Sequence, residues 1–332
     1  MDRRSFLKGM VAGTAGGLLA SAGLYAWGGG FQRFISPLGL PKQGPEQYDE
    51  MKLVLLGTGC PLPSLYRSKP AQAVLAGSKV FLVDCGAGVA DRLFRAGLPA
   101  ERIDDLFITH QHSDHNSGFI DFLVTRLTGS ILPGSRKPLN VYGPGNTERI
   151  VGKLEEHLAW DIGLRVAQSG DYKKGAEVRY TQMEDGLIYD RDGVRVTVFP
   201  VDHGIVKPAV GFRFQYKDKT IVISGDTRPC ENMVKYAKGA DVLVHEAYSR
   251  RWIDVGVKKF PEKAEKARGI MQYHSSTLEV AEITRRAGVK HLVFTHLMPA
   301  PAPAWYFERD WVKGVSDIYD GQVTVGRDLM AF

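Results

Sequence analysis

Apolar residues along the chain recur at two spacings, and the spacing changes from segment to segment. Short β-branched and leucine-rich runs bounded by Gly or Pro predict strands. They cover Met51–Leu56, stopped by Gly57-Thr58-Gly59, then Ala73–Leu75 and Val80–Val83 around Gly77-Ser78, Ile103–Thr109 and Leu139–Tyr142. A strand-rich stretch follows with Val178–Met183, Val194–Pro200, Val210–Tyr216 and Thr220–Ser224, and later come Val242–His245 and His291–Thr295. Helical spacing marks Val89–Ala96, Ser117–Thr128, Asn146–Leu158, Glu231–Ala237 and Thr277–Ala287. Strands interleaved with helices in both halves predict an α/β fold of two sheets with helices on their outer faces.

Composition narrows the class. The 332 residues are 44% hydrophobic and 24% charged, with no run of one charge sign, which excludes a disordered or fibrous chain. The formal net charge is +6; Arg3, Arg4 and Lys8 against Asp2 account for +2 of it, leaving +4. Such mild basicity suits a small anionic substrate or a membrane surface, and no nucleic-acid partner is expected from it. Cys60, Cys85 and Cys230 are too few and too widely spaced for a disulfide framework or a Cys-x-x-Cys metal pattern, and all three read as buried small hydrophobes.

The first residues, Asp2-Arg3-Arg4-Ser5-Phe6-Leu7-Lys8, resemble a twin-arginine export signal. A weakly hydrophobic Gly/Ala-rich run, Met10–Trp27, follows and contains Ala20-Ser21-Ala22 as a small-x-small cleavage site. Residues 1–30 are therefore expected to be a leader, 31–50 a Gly/Pro-rich linker, and 51–332 one hydrolase domain. The leader implies the twin-arginine translocation machinery as a partner and a periplasmic location, with a membrane tether if it stays uncleaved.

The strongest chemical signal is Thr109-His110-Gln111-His112-Ser113-Asp114-His115, at the end of an apolar strand. Three imidazoles and a carboxylate this close are hard to explain as packing. His110 and His112 sit two apart and can converge on one ion, while Asp114 and His115 can serve a second. This H-x-H-x-D-H segment resembles the metallo-β-lactamase superfamily, and further motifs follow in order: Asp84 before Gly86-Ala87-Gly88, His203 in Asp202-His203-Gly204, Asp226 in Gly225-Asp226-Thr227, and His296 in Thr295-His296-Leu297. The resemblance implies a four-layer αββα sandwich of two mixed sheets. It implies two Zn2+ per chain, with His110, His112 and His203 on one, Asp114, His115 and His296 on the other, and Asp226 between. Asp84 would support the ligand loop without binding metal, and hydroxide between the ions would be the nucleophile.

Within the superfamily, His245-Glu246-Ala247-Tyr248 and His274-Ser275-Ser276-Thr277 resemble motifs of the ribonuclease Z and arylsulfatase branch. That likeness makes His274 a proton donor to the leaving oxygen, oriented by Glu246, with Asp114 also in the catalytic set; the bland alternative places His274 in a helix N-cap turn. His245, His157 and His291 read as structural. Only a hairpin, Lys207–Thr220, fills the interval between His203 and Asp226, where ribonuclease Z carries a long tRNA-gripping arm. The expected substrate is therefore a small anionic ester, an aryl sulfate or a small phosphodiester. A ribonuclease Z-like phosphodiesterase, a lactonase and a non-catalytic metal-binding member of the fold stand as alternatives, and a homodimer is compatible with the sequence. A charge-rich insertion holds Arg250, Arg251, Lys258, Lys259, Lys263, Lys266 and Arg268 against Asp254, Glu262 and Glu265. It reads equally as an anion-attracting lid or as a solvated helix face.

Overall fold

In the computed structural model, residues 47–129, 134–170 and 172–332 are described. The expected leader, and the expected linker apart from its last four positions, lie outside the described residues. The first sheet runs β1 (Tyr48–Gly57), β2 (Ala71–Gly77), β3 (Lys79–Val83), β4 (Asp105–Phe107), β5 (Leu139–Gly143) and β6 (Val178–Gln182), in that spatial order. Its first three strands pair antiparallel and the rest parallel. The second sheet holds β7 (Gly186–Arg191), β8 (Val194–Pro200), β9 (Val210–Tyr216), β10 (Lys219–Ile223), β11 (Val242–Tyr248), β12 (His291–Met298) and β13 (Gln322–Val325). There β7 to β10 are antiparallel neighbours and β10 to β13 parallel ones.

Alternation along these strands builds the layers, because successive side chains point to opposite faces. Met51, Leu53 and Leu55 of β1 meet Phe81 and Val83 of β3 and Phe212 and Phe214 of β9 in the core between the sheets. Val80 and Leu82 face the other way, onto helices Val89–Ala96 and Phe119–Thr128. On the far side, Leu243 and Phe294 pack on helices Glu231–Ala237 and Thr277–Ala287. Burying one such side chain is worth about 1.5–3 kcal/mol, so three stacked apolar clusters specify four layers. The αββα sandwich of two mixed sheets matches the expectation.

Several elements differ from the sequence reading. β1 begins at Tyr48, ahead of the expected Met51 and inside the expected linker, because Tyr48 is buried while exposed Asp49 and Glu50 hide the alternation. The helix expected over Asn146–Leu158 runs Thr147–Gln168, since no breaker stops it at Leu158. β7 was not anticipated, although Asp192 and Gly193, both at positive φ, form the turn that joins it to β8. Helices Arg250–Lys259, Ala264–Tyr273 and Trp305–Trp311, and strand β13, also lie beyond the sequence-based elements. Among the described residues, no helix is long and apolar enough to cross a membrane. Cys60 and Cys85 are buried as expected, whereas Cys230 is half-buried at the N-cap of Glu231–Ala237.

Candidate metal centre

The site forms where strands of both sheets end at one edge of the sandwich. β4 runs out into Thr109-His110, and the chain tightens into a short 3-10 turn, Ser113–His115. Two hydrogen bonds hold this loop against the end of β3: Cys85 N–H donates to the His115 carbonyl at 2.7 Å and Gly118 N–H to the Cys85 carbonyl at 2.8 Å. The approach is so close that a Cβ on Gly86 would lie 2.4 Å from the Asp114 carbonyl oxygen. From the second sheet, β8 delivers His203 and β10 delivers Asp226 through Gly225, whose φ of +61° and proximity to Thr109 exclude a side chain.

His296 arrives differently. In the β11–β12 ladder, Glu246 pairs with Thr295 and Ala247 with Leu297, so His296 is the extra residue of a bulge, at φ +46°. A bulge re-aims the side chain of its extra residue. Here it turns the imidazole into the site.

The structure brings all seven candidate ligands together. Donor atoms of His110, His112, His203 and Asp226 lie within 4.8 Å of one another, as do those of Asp114, His115 and His296. Asp226 links the two groups: its Oδ2 is 3.4 Å from His115 Nε2, 3.3 Å from His296 Nε2, 3.7 Å from His110 Nε2 and 3.9 Å from His203 Nε2. Asp114 Oδ2 is 3.3 Å from His296 Nε2.

On His203, His115 and His110 the Nδ1 atoms have polar neighbours, which leaves Nε2 facing the centre. His203 Nδ1 donates to the Tyr273 carbonyl at 2.9 Å, and His115 Nδ1 meets Asp84 Oδ2 at 2.7 Å. Asp84, at φ +57° beyond β3, also accepts from Thr109 N–H and Oγ1–H, while Thr109 Oγ1 lies 3.0 Å from His110 Nδ1. Asp84 thus stands behind the ligand loop, as the sequence suggested. Burial pulls the His110, His112 and His203 imidazoles below the usual histidine range, His203 to about 4, so they are neutral near pH 7. Burial also opposes charge on His115, but Asp226 and Asp84 on either side outweigh it and raise its pKa well above 6.5. Burial likewise works against the Asp226 carboxylate, yet His296 and His115 hold its pKa well below the usual range.

These features fit a pair of divalent cations. The buried His110 Nε2 has no hydrogen-bond partner on a ring that burial keeps neutral, and a bare imidazole lone pair 3.7 Å from the Asp226 carboxylate is repelled by it unless a cation lies between them. The donors are nitrogen and oxygen with no thiolate, which suits zinc.

Next to this cluster, His274 Nδ1 is 3.2 Å from Glu246 Oε1, and the His274 ring stacks on His296 at 5.5 Å. The N-cap of Thr277–Ala287 is Ser276, in a capping box with Glu279, so His274 is not the cap. A ring nitrogen of His274 also lies within 4.8 Å of donor atoms of Asp226 and His296. Glu246 Oε1 accepts from the Ser275 and Thr227 N–H groups as well, which anchors the carboxylate that holds His274. Thr109, Thr227, Ser275 and the Tyr273 carbonyl were not picked out from sequence. Backbone groups leave no signal there, and Thr109 was legible only as the residue beside the motif. His245 is buried with Nδ1 on the Glu246 carbonyl, His291 bonds Thr324, and His157 is exposed; none joins the centre.

The family model described as Beta-lactamase superfamily domain matches residues 79–297. A curated ribonuclease Z of Mycolicibacterium gilvum is 37% identical over 279 residues, 84% of this chain and 94% of that protein. Among solved structures, a metallo-β-lactamase-fold protein of Bacillus subtilis superposes with a TM-score of 0.62 at 18% identity, covering 86% of this chain and 100% of that one. The short form of human tRNase Z gives 0.58 at 24% identity, covering 85% and 98%; at these identities the likeness speaks for the fold alone. Two expectations are corrected by the curated relatives: they carry the ribonuclease Z name, not an arylsulfatase one, and that name goes against excluding nucleic acid. The exclusion rested on mild overall basicity, the absent arm and the expected export signal. The chain belongs to the metallo-β-lactamase superfamily of metal-dependent hydrolases, among relatives named ribonuclease Z.

Proposed function

We propose that this chain hydrolyses phosphodiester bonds in RNA, in the manner its ribonuclease Z relatives are named for. The observation that carries the reading is His274, held by Glu246 beside the cluster, with a ring nitrogen within 4.8 Å of Asp226 and His296 donors. The sugar that leaves a diester departs as an alkoxide and needs a proton, whereas an aryl leaving group such as nitrophenolate departs without one. The 37% identity to a ribonuclease Z supports the same bond class.

His110, His112 and His203 would hold one cation, and Asp114, His115 and His296 the other, with Asp226 shared. When bound, such a pair supplies Lewis acidity toward water and compensates the charge of an anionic ester. Asp84 and the Tyr273 carbonyl fix the tautomers of His115 and His203. His274 gives its proton to the departing oxygen, and Glu246, itself held by the Ser275 and Thr227 N–H groups, fixes the ring in place.

The test is a side-by-side rate measurement on metal-replete protein with bis-nitrophenyl phosphate, nitrophenyl sulfate, a lactone and a precursor tRNA. The diester and the RNA are expected to be cleaved and the sulfate left intact. A lactone preferred over both diesters, or RNA left uncut, refutes the reading.

A further inference from the structure

We propose that the helical pair Arg250–Lys259 and Ala264–Tyr273 is a grip for the phosphate backbone of a nucleic-acid strand beside the centre; this deepens, and rests on, the phosphodiesterase reading above. The pair leads straight into the site: Tyr273 gives its carbonyl to His203 Nδ1 at 2.9 Å, and the next residue is His274. At about 1.5 Å per residue the second helix is about 15 Å long. Lys263 at its far end therefore lies about 15 Å from the residues that meet the centre, a reach of more than one phosphate.

Charge is concentrated there and left uncompensated. Lys258, Lys259, Lys263, Lys266 and Arg268 are all exposed, and only Glu262 and Glu265 oppose them, so residues 258–268 carry half of the chain's formal net charge of +6. The start of the pair is different: Arg250 pairs with Asp254 at 3.1 Å and Arg251 with Asp310 at 3.2 Å. None of the five later cations has an ion-pair partner among the described residues.

Between the two helices like charges converge: the Lys259 and Lys263 ammonium groups both lie over the Phe260 ring, at 5.5 and 4.4 Å from its centroid. Ile253, Val257, Ala267, Ile270 and Met271 pack with Tyr248 and Met298 and seat the pair on the domain, while the five cations stay exposed. Five exposed cations against two carboxylates within residues 258–268 exceed what one small monoanion can neutralise. They match a polyanion with repeating phosphates.

The test is binding of a labelled single-stranded RNA, followed by anisotropy across a salt series, to the full chain and to a variant carrying Lys258→Ala, Lys259→Ala, Lys263→Ala and Lys266→Ala. Losing four phosphate contacts should weaken binding by at least about tenfold at low salt and cut the slope of log affinity against log salt by about 3. Turnover of bis-nitrophenyl phosphate should be unchanged, which reports an intact fold and centre. Equal affinity and slope for both proteins overturn the proposal. So does a wild-type chain that binds no RNA, or a variant that loses binding to phosphatidylserine vesicles while holding RNA as before, which would assign the patch to a membrane surface. RNA that is bound through these lysines but not cut supports the grip and defeats the phosphodiesterase reading, so the two fail separately.

Discussion

Replacing His274 by alanine separates chemistry from scaffold at this centre. The side chain is 6% exposed, stacked on His296, and bonded to Glu246 Oε1 at 3.2 Å. Its removal does not strand the Glu246 carboxylate, because Ser275 and Thr227 N–H still donate to Oε1 at 3.0 and 3.2 Å. The stability loss should therefore stay within about 1–3 kcal/mol, the range for one buried polar contact. The loss of a general acid is larger and of another kind: about 10² to 10⁴ in turnover, or about 2.7–5.5 kcal/mol of barrier. It should be full on diesters with alkyl or ribose leaving groups and much smaller on nitrophenyl diesters, whose leaving group departs without a proton. The assay is kcat on both kinds of diester, with bound metal counted by elemental analysis. Equal losses on both leaving groups would make His274 structural. A lost metal equivalent would make it a ligand, a role its grouping with Asp226 and His296 leaves geometrically open.

Asp226→Ala should lower both metal content and activity, because two cations would then face each other without the carboxylate between them; wild-type protein that holds one ion or none when metal-replete refutes a two-ion site. Asp84→Asn should weaken metal binding by about 10- to 100-fold through His115 and Thr109, with folding retained, as read by chelator competition. Chelated protein should lose stability as pH falls from 6.5 toward 4. His203 and His245 are held at about 4, mainly by burial, so in that window unfolding takes up protons. Each shift is worth about 3 kcal/mol when fully expressed, and lowered His110, His112 and His274 add to it. Glu246, raised by burial and by Asp226, opposes with one proton, and the raised His115 acts only above 6.5. A melting temperature flat across that window would contradict this balance. Export by the expected leader has its own test: changing Arg3 and Arg4 to lysine should leave the protein in the cytoplasm, and unchanged fractionation would show that the pair does not direct it.

The sandwich was legible because its central strands are buried on both faces or on one, and burial writes itself into the spacing of apolar residues. Met51, Leu53 and Leu55 carry that record; β7 and β13 lie at the edges of their sheet, where half-exposed residues blur it. The candidate ligands were legible for a chemical reason. His110, His112, Asp114 and His115 are near neighbours in sequence, and packing does not ask for such a cluster.

What the chain order could not express is how distant residues are aimed. The bulge at His296 depends on the register of β12 against β11, and the hold of Tyr273 on His203 uses a backbone carbonyl that any residue possesses. The basic insertion shows the same limit: its lysines were visible in sequence as charges, but whether they had partners depended on which carboxylates the fold brings within reach. By itself the sequence determined the layers, the metal-binding chemistry and the superfamily, since these rest on residue type and local spacing. Only the tertiary structure decided that Glu246 meets His274, that Asp226 joins two ligand groups, and that residues 258–268 remain an uncompensated positive face, because those are distances between segments far apart in the chain.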